Sequence, residues 1–336
     1  MTMSLPRLAG LHHLSAMSSH AQDTIDFYAG ILGLPLLKQT VNFDDPGTYH
    51  LYFGDPAVQL GTMTFFIWPG AHRGRVGTGG TKSVSFSIAS NGDLDRWESS
   101  LTGHGITTAR DLLGDSGTVL RLSDPDGLQL ELVSREGSIA TPPRTRSIRP
   151  SAQGELAAPR VGPIQQVTVI VSNLERSTAF YAGTLGLDVE AGATAEDRTS
   201  GRSHSLKEAT SGARVPAVVL LPSDGSPPAF RLGAGVTHHF ALQVATEPDL
   251  VAWRDYLNDS GTPTTDIKDR LYFRSIYFRD PDGHVIEIAT NGPGFAVDEP
   301  LSGLGQQLAL PPWLEDRRSE IVGRLPSLNT RPTVAL

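Results

Sequence analysis

Two pairs of histidines and one carboxylate are the residues of this chain whose types and spacing could do chemistry. His12 and His13 lie at the start of one strand-like run, His238 and His239 at the start of another, and Glu287 inside a third. Glu287 shares a strand face with Val285 and Ala289, and the other face carries Ile286 and Ile288. A carboxylate in that company is costly to bury unless something positive neutralises it. The chain has no cysteine, so disulfides, thiolate zinc sites and cysteine nucleophiles are excluded and a metal must be held by His, Asp or Glu. His13, His239 and Glu287 are the candidate ligands. Two neutral imidazoles and one carboxylate that leave positions open form the facial triad of non-haem Fe(II) oxygenases. A lone histidine on a strand is more often a packing residue, but two adjacent pairs at corresponding strand starts point to a site. Ser15 and Ala241, two residues further on the same faces, leave room for a substrate.

These residues are carried by an internal repeat. His13, Phe27-Tyr28-Ala29-Gly30 and Leu32-Gly33-Leu34 return as Gln166, Phe180-Tyr181-Ala182-Gly183 and Leu185-Gly186-Leu187, at a constant offset of 153. Asp93-Leu94, Trp97, Asp124-Pro125-Asp126-Gly127 and Glu131 return as Asp249-Leu250, Trp253, Asp280-Pro281-Asp282-Gly283 and Glu287, at an offset of 156. Each half divides again into two units of one plan, strand, helix and three strands. Ile25, Tyr28 and Leu32 mark one helical face, and Gly33 and Gly186 fall where left-handed caps would end two helices. Asn173 is the expected N-cap of the third unit's helix. Strands are expected at Leu11 to Met17, Thr48 to Phe53, Met63 to Trp68 and Ala217 to Leu221, and the Asp-Pro-Asp-Gly sequences close hairpins. The fold class is therefore α+β, a tandem duplication of four βαβββ modules. Expected domains are 8–135 and 161–291, joined by a proline-bearing linker at 136–160 and followed by a tail at 292–336 that packs on the outside, with a short helix from Pro312.

The repeat also supplies a control. The partners of His13, His239 and Glu287 are Gln166, Ser83 and Glu131, so one set has kept two imidazoles that the other lacks. Glu131 shares its face with Gln129 and reads as solvated. For one site to form, units one and four must pack together, leaving two with three. His20, His50, His72, His104, His204 and His284 read as surface or loop residues, and the glycine-rich stretch from Gly70 to Gly80 lacks the strand-to-helix setting of a phosphate loop.

With 28 basic and 36 acidic residues and a net charge of −8, the chain is a poor match for nucleic acid or an acidic membrane surface. No apolar run reaches spanning length and the N-terminus shows no signal-peptide pattern, so a cytoplasmic location is expected. A homo-oligomer is left open.

The chain resembles the vicinal oxygen chelate superfamily, and within it the ring-cleaving dioxygenases that act on hydroquinones. The stretches that carry this are Gly10-Leu11-His12-His13, Thr40 through His50, Tyr272 through Phe278 and Asn291 through Pro300. The resemblance covers nearly the whole chain. It implies two half-barrels, Fe(II) or alternatively Mn(II) on His13, His239 and Glu287, dioxygen as co-substrate and a small aromatic diol as partner. It places supporting histidines at His12 and His238, one of them a proton acceptor, and substrate-contacting residues at Tyr277 and Arg270. An extradiol catechol dioxygenase is the near alternative. A glyoxalase-like isomerase, or a protein that only sequesters an aromatic or antibiotic, is more remote.

Overall fold

The computed structural model describes residues 5–56, 60–88, 90, 92–112, 117–135, 160–191, 202–207, 214–223 and 228–330. Four units of one plan follow one another. Unit one comprises β1 (Leu11–Ser18), α1 (Ala21–Ile25), β2 (Leu36–Asn42), β3 (Asp45–Phe53) and β4 (Thr62–Ile67). Unit two has β5 (Thr81–Ser87), α2 (Gly92–Gly103), β6 (Ala109–Leu112), β7 (Gly117–Ser123) and β8 (Gln129–Arg135). Unit three has β9 (Ile164–Val171), α3 (Leu174–Thr178), β10 (Asp188–Ala191), β11 (Arg202–Lys207) and β12 (Arg214–Pro222). Unit four has β13 (Thr237–Val244), α4 (Glu247–Asp259), β14 (Lys268–Asp269), β15 (Arg274–Arg279) and β16 (Val285–Thr290), and α5 (Arg318–Arg324) follows in the tail. No helix among the described residues is long and apolar enough to cross a membrane.

The strands form two curled eight-stranded sheets, ordered β14-β15-β16-β13-β1-β4-β3-β2 and β10-β11-β12-β9-β5-β8-β7-β6. The first sheet joins unit four to unit one through antiparallel β1 and β13, and the second joins units three and two through β9 and β5. Neither sheet is built from one half of the chain, and the pairing of units demanded by the metal chemistry is the observed one. The linker expected at 136–160 lies, Arg160 apart, outside the described residues.

Helix formation follows the apolar spacing, with one departure. Ile25, Tyr28 and Leu32 are fully buried, yet the segment that carries them is α-helical only through Ile25 and continues as a π-helical turn, Asp26–Ile31; Ala179–Thr184 repeats this after α3. The wider turn goes with a tether: Tyr28 Oη donates to Asp124 and Tyr181 Oη to Asp280, each at 3.1 Å. Burial pushes both aspartates up to about 6. Gly33 and Gly186 end these segments at φ +68° and +67°, as the spacing predicts. The Asp-Pro-Asp-Gly hairpins do more than turn. Asp126 accepts hydrogen bonds from the backbone and side chain of Ser19, and Asp282 from those of Ser172, so each hairpin clips the start of a helix belonging to the other sheet. Residues 73–78 and 229–234, part of the glycine-rich stretch and its repeat, run together through isolated bridges that include Arg75 with Arg231.

The tail departs from its expected place. A 3-10 turn (Pro312–Arg317) and α5 do follow Pro312. Upstream of them, however, the chain passes over the inner side of the first sheet. There Lys38, fully buried, donates to Asp298 and Glu299, and Phe295 packs on Tyr52 and Tyr272. A buried ammonium is tolerated only when paired, and the tail supplies the pair.

Candidate functional site

The concave face of the first sheet gathers the expected residues. β1 and β13 are each bulged where they pair. Leu11 faces Leu242 and His13 faces Ala241, which leaves His12 as the extra residue; Ser15 faces His239 and Ala16 faces Thr237, which leaves His238. A bulge sets two consecutive residues against one and re-aims their side chains. As a result His12 Nδ1 lies 2.8 Å from His13 Nδ1, and His238 Nδ1 lies 2.8 Å from His239 Nδ1. β16 runs parallel to β13 with Glu287 beside Ala241.

His13 Nε2 and His239 Nε2 are 3.3 Å apart, and Glu287 Oε2 stands 3.1 Å from the first and 2.8 Å from the second. Donors bound at about 2.1 Å and at right angles to one centre would be about 3.0 Å apart, which is the separation seen. Glu287 is 0% exposed and each imidazole 3%. Burial alone would raise the Glu287 carboxyl, but His13 and His239 hold it well below the usual carboxylate range. Apart from those two close imidazoles neither of its oxygens has a hydrogen-bond partner among the described residues. With His13 and His239 donating their Nδ1–H to Nδ1 of His12 and His238, both Nε2 lone pairs and a carboxylate oxygen face one point, an arrangement that a divalent cation reconciles. The residues present fit such an ion.

Burial holds His12 and His238 neutral, both lowered to about 3 with the adjacent imidazoles adding to the effect. His12 is buried and His238 is partly exposed. Tyr277 lies beside Glu287 in register and edge-on to His239 at 5.5 Å. Arg270 Nε donates to the Tyr277 hydroxyl at 3.2 Å and Arg270 Nη1 to Asp44 at 3.1 Å. Burial, then Glu287, pushes the Tyr277 phenol up, so it is a hydrogen-bond donor at neutral pH. All seven predicted site residues therefore belong to one neighbourhood.

Other residues of that neighbourhood escaped the sequence reading. His50 is only partly exposed and is engaged on all sides: its Nε2 is 3.0 Å from Thr64 Oγ1, its Nδ1 is 3.0 Å from the Tyr52 hydroxyl, and its ring stacks on Phe66. The signal was present, because Leu51 and Phe53 fill the core and put His50 and Tyr52 on the opposite face of β3. Phe273 packs 5.1 Å from both His12 and His13. His284 is buried rather than exposed, against Thr81 and the ring of Phe240. Glu131 is not simply solvated either; it accepts from Ser85 and Arg121. Ser15, expected to leave space, bonds Thr64 at 2.8 Å. A separate open cleft of about 530 Å³, lined by Asp23, Asp26, Phe27, Ile106 and Asp124, presents no imidazole and is no rival.

The sequence model of the Glyoxalase/Bleomycin resistance protein/Dioxygenase superfamily matches residues 10–132 and 163–288. A Bacillus subtilis relative named "Putative ring-cleaving dioxygenase MhqO" is 34% identical over 93% of this chain and 94% of its own. The chlorohydroquinone/hydroquinone 1,2-dioxygenase of Sphingobium indicum is 28% identical over 95% and 97%. A crystal structure of a "putative dioxygenase" from Bacillus subtilis superimposes with a TM-score of 0.81 at 31% identity, covering 97% of this chain and 99% of its own. The chain belongs to the glyoxalase/bleomycin resistance protein/dioxygenase superfamily, in the branch of the ring-cleaving dioxygenases.

Proposed function

We propose that this protein is a metal-dependent ring-cleaving dioxygenase of para-dihydroxy aromatic rings, that is, of hydroquinone or a substituted hydroquinone. The observation that carries the reading is the convergence of His13, His239 and Glu287 in a buried place where, among the described residues, the carboxylate has no close polar partner but the two imidazoles. The names of the relatives support the reaction class, and one of them names the substrate class. Fe(II), with Mn(II) as the alternative, would be held by those three residues, and when bound it supplies a Lewis acid and an electron path between a phenolic oxygen and dioxygen.

The chain's own residues prepare that chemistry. His12 and His238 fix the orientation of the two ligand rings. Of the two, His238 keeps exposed surface and is the one open to a substrate, whose phenolic proton it takes on Nδ1 once the hydrogen bond from His239 is released. His12, packed on Phe273, is left with orienting. The Tyr277 hydroxyl, itself held by Arg270, donates to the oxygen that gains negative charge. Phe66, Phe273 and Tyr52 exclude water, which strengthens each of these contacts.

Oxygen uptake by anaerobically reconstituted protein, with hydroquinone and catechol offered in parallel, tests the reading. Turnover of hydroquinone in preference to catechol is expected; preference for catechol would move the assignment to an extradiol enzyme. Protein that binds metal and aromatic ligand but consumes no oxygen would favour sequestration.

A further inference from the structure

Leu271 is the one non-glycine residue with positive φ, +66°, among the described residues. Tyr272 N donates to Arg270 O at 2.8 Å across it. An i to i+2 bond around positive φ is the strained form of γ-turn, and a bulky residue rarely accepts that conformation. Strain of this kind persists where the surroundings over-determine it and concentrates at functional sites. Here the strained residue sits inside four that surround the site. Arg270 holds Tyr277 and Asp44, and Phe273 packs on His12 and His13. Tyr272 lies under the Lys38 ammonium, 4.9 Å from its ring centre, and donates to Asp298 at 3.0 Å.

The repeat sharpens the observation. The residues equivalent to Arg270-Leu271-Tyr272-Phe273 in unit two are Gly114-Asp115-Ser116-Gly117, small and turn-forming throughout. Unit four, which bears one imidazole pair and Glu287, has bulky residues where the sequence of its counterpart has those that tight turns favour. Three fixings hold the bulky version: Leu271 N to Asp269 Oδ1 at 2.8 Å, Arg270 N to Phe273 O at 2.9 Å, and Gly294 N to Tyr272 O at 2.8 Å. The last ties the turn to the tail segment that Lys38 clamps.

We propose that Leu271 is a positioning residue, whose forced positive-φ backbone, fixed by the Lys38–Tyr272–Asp298 clamp, aims Arg270 at Tyr277 and Phe273 at the paired imidazoles. Its kinetic consequence rests on the dioxygenase reading; its structural consequence does not. A β-branched residue resists positive φ most, whereas asparagine and glycine accept it. Leu271→Val should therefore release the turn, and Leu271→Asn should rescue it.

The experiment compares hydrogen exchange and oxygen uptake in the parent, L271V, L271N and L271G, each loaded with Fe(II) without oxygen. In L271V the amides of residues 270–273 and Gly294 should exchange roughly tenfold faster or more, while those of β16 stay protected. With hydroquinone its kcat should fall roughly 10- to 100-fold, with bound metal and the KM for dioxygen unchanged. L271N should return both readouts to near the parent. Parent-like exchange in L271V overturns the proposal. Failure of L271N to rescue also overturns it, since bulk rather than backbone would then matter. If L271V unfolds, which the β16 amides would report, Leu271→Ala takes its place and is read the same way. A parent that consumes no oxygen counts against the dioxygenase reading alone, and the exchange contrast still decides the role of Leu271.

Discussion

Glu131 and Glu287 stand at the same place in the two sheets, each beside a pair of bulged strands. In the second sheet the bulges fall at Lys82 and Gln165, the repeat partners of His238 and His12, so the backbone device that turns two consecutive side chains inward exists in both. The way each carboxylate is neutralised differs. Glu131 accepts from Ser85 Oγ at 2.7 Å and from Arg121 Nε at 3.4 Å, with Arg121 also paired to Asp111. At the equivalents of Ser85 and Arg121, Glu287 finds Ala241 and Tyr277. One sheet satisfies its glutamate from within. In the other, Ala241 and Tyr277 stand where those donors would be, and the imidazoles of His13 and His239 approach the carboxylate instead, the arrangement on which the proposed metal site rests. The scaffold is shared, and the two pockets differ at six repeat positions, where His12, His13, His238, His239, Ala241 and Tyr277 stand against Gln165, Gln166, Lys82, Ser83, Ser85 and Arg121.

The largest expected effect comes from breaking the side that depends on a cation. His13→Ala and Glu287→Ala should each abolish stoichiometric metal binding and oxygen uptake, a loss beyond the 10- to 100-fold typical of residues that only support a ligand; metal per chain after anaerobic loading checks this, and retention by both variants would overturn the site. His12→Gln, which installs the residue of the second sheet, should cost about 10- to 100-fold in metal affinity or turnover without unfolding the chain. On the self-sufficient side, Arg121→Leu should lower unfolding free energy by about 1–2 kcal/mol in a denaturant titration, less than for a fully dry pair because water reaches both partners. It should leave metal binding untouched.

Two smaller tests use other differences between the copies. His284 occupies the place of Leu128 in unit two, and burial lowers it from 6.5 to about 3. Below pH 6.5 the unfolded chain binds a proton that the folded chain refuses, so stability falls as pH drops from about 6.5 towards 3. His284→Leu should flatten that acid limb in thermal melts while leaving the curve above pH 7 unchanged. The smallest effect concerns the helix starts. Asn173 caps α3 through Arg176 N, whereas its counterpart His20 makes no side-chain cap. His20→Asn should add up to about 1 kcal/mol.

Much of the site could be read before any coordinates. The repeat aligned the two glutamates, and loss of both imidazoles from one copy singled out His13, His239 and Glu287. Cap and hairpin residues at Gly33, Gly186, Asn173 and the two Asp-Pro-Asp-Gly turns behave as local rules require, because backbone preference acts over a few residues. The burial of His284 was not legible, because it depends on Thr81 and Phe240, which lie far away in sequence, whereas the face of β3 that carries His50 follows from the alternation with Leu51 and Phe53.

The amino-acid sequence by itself determined the four-unit plan and the three converging donors, because periodic apolar spacing and a duplicated register are local properties that survive without knowledge of packing. Only the tertiary structure decided that bulges bring His12 and His238 round to their neighbours, that Lys38 draws residues 298–299 of the tail across the concave face, and that Leu271 is held at positive φ. Each of those depends on contacts between segments distant in the chain, where burial, pairing of charge and shared hydrogen bonds outweigh what any residue prefers alone.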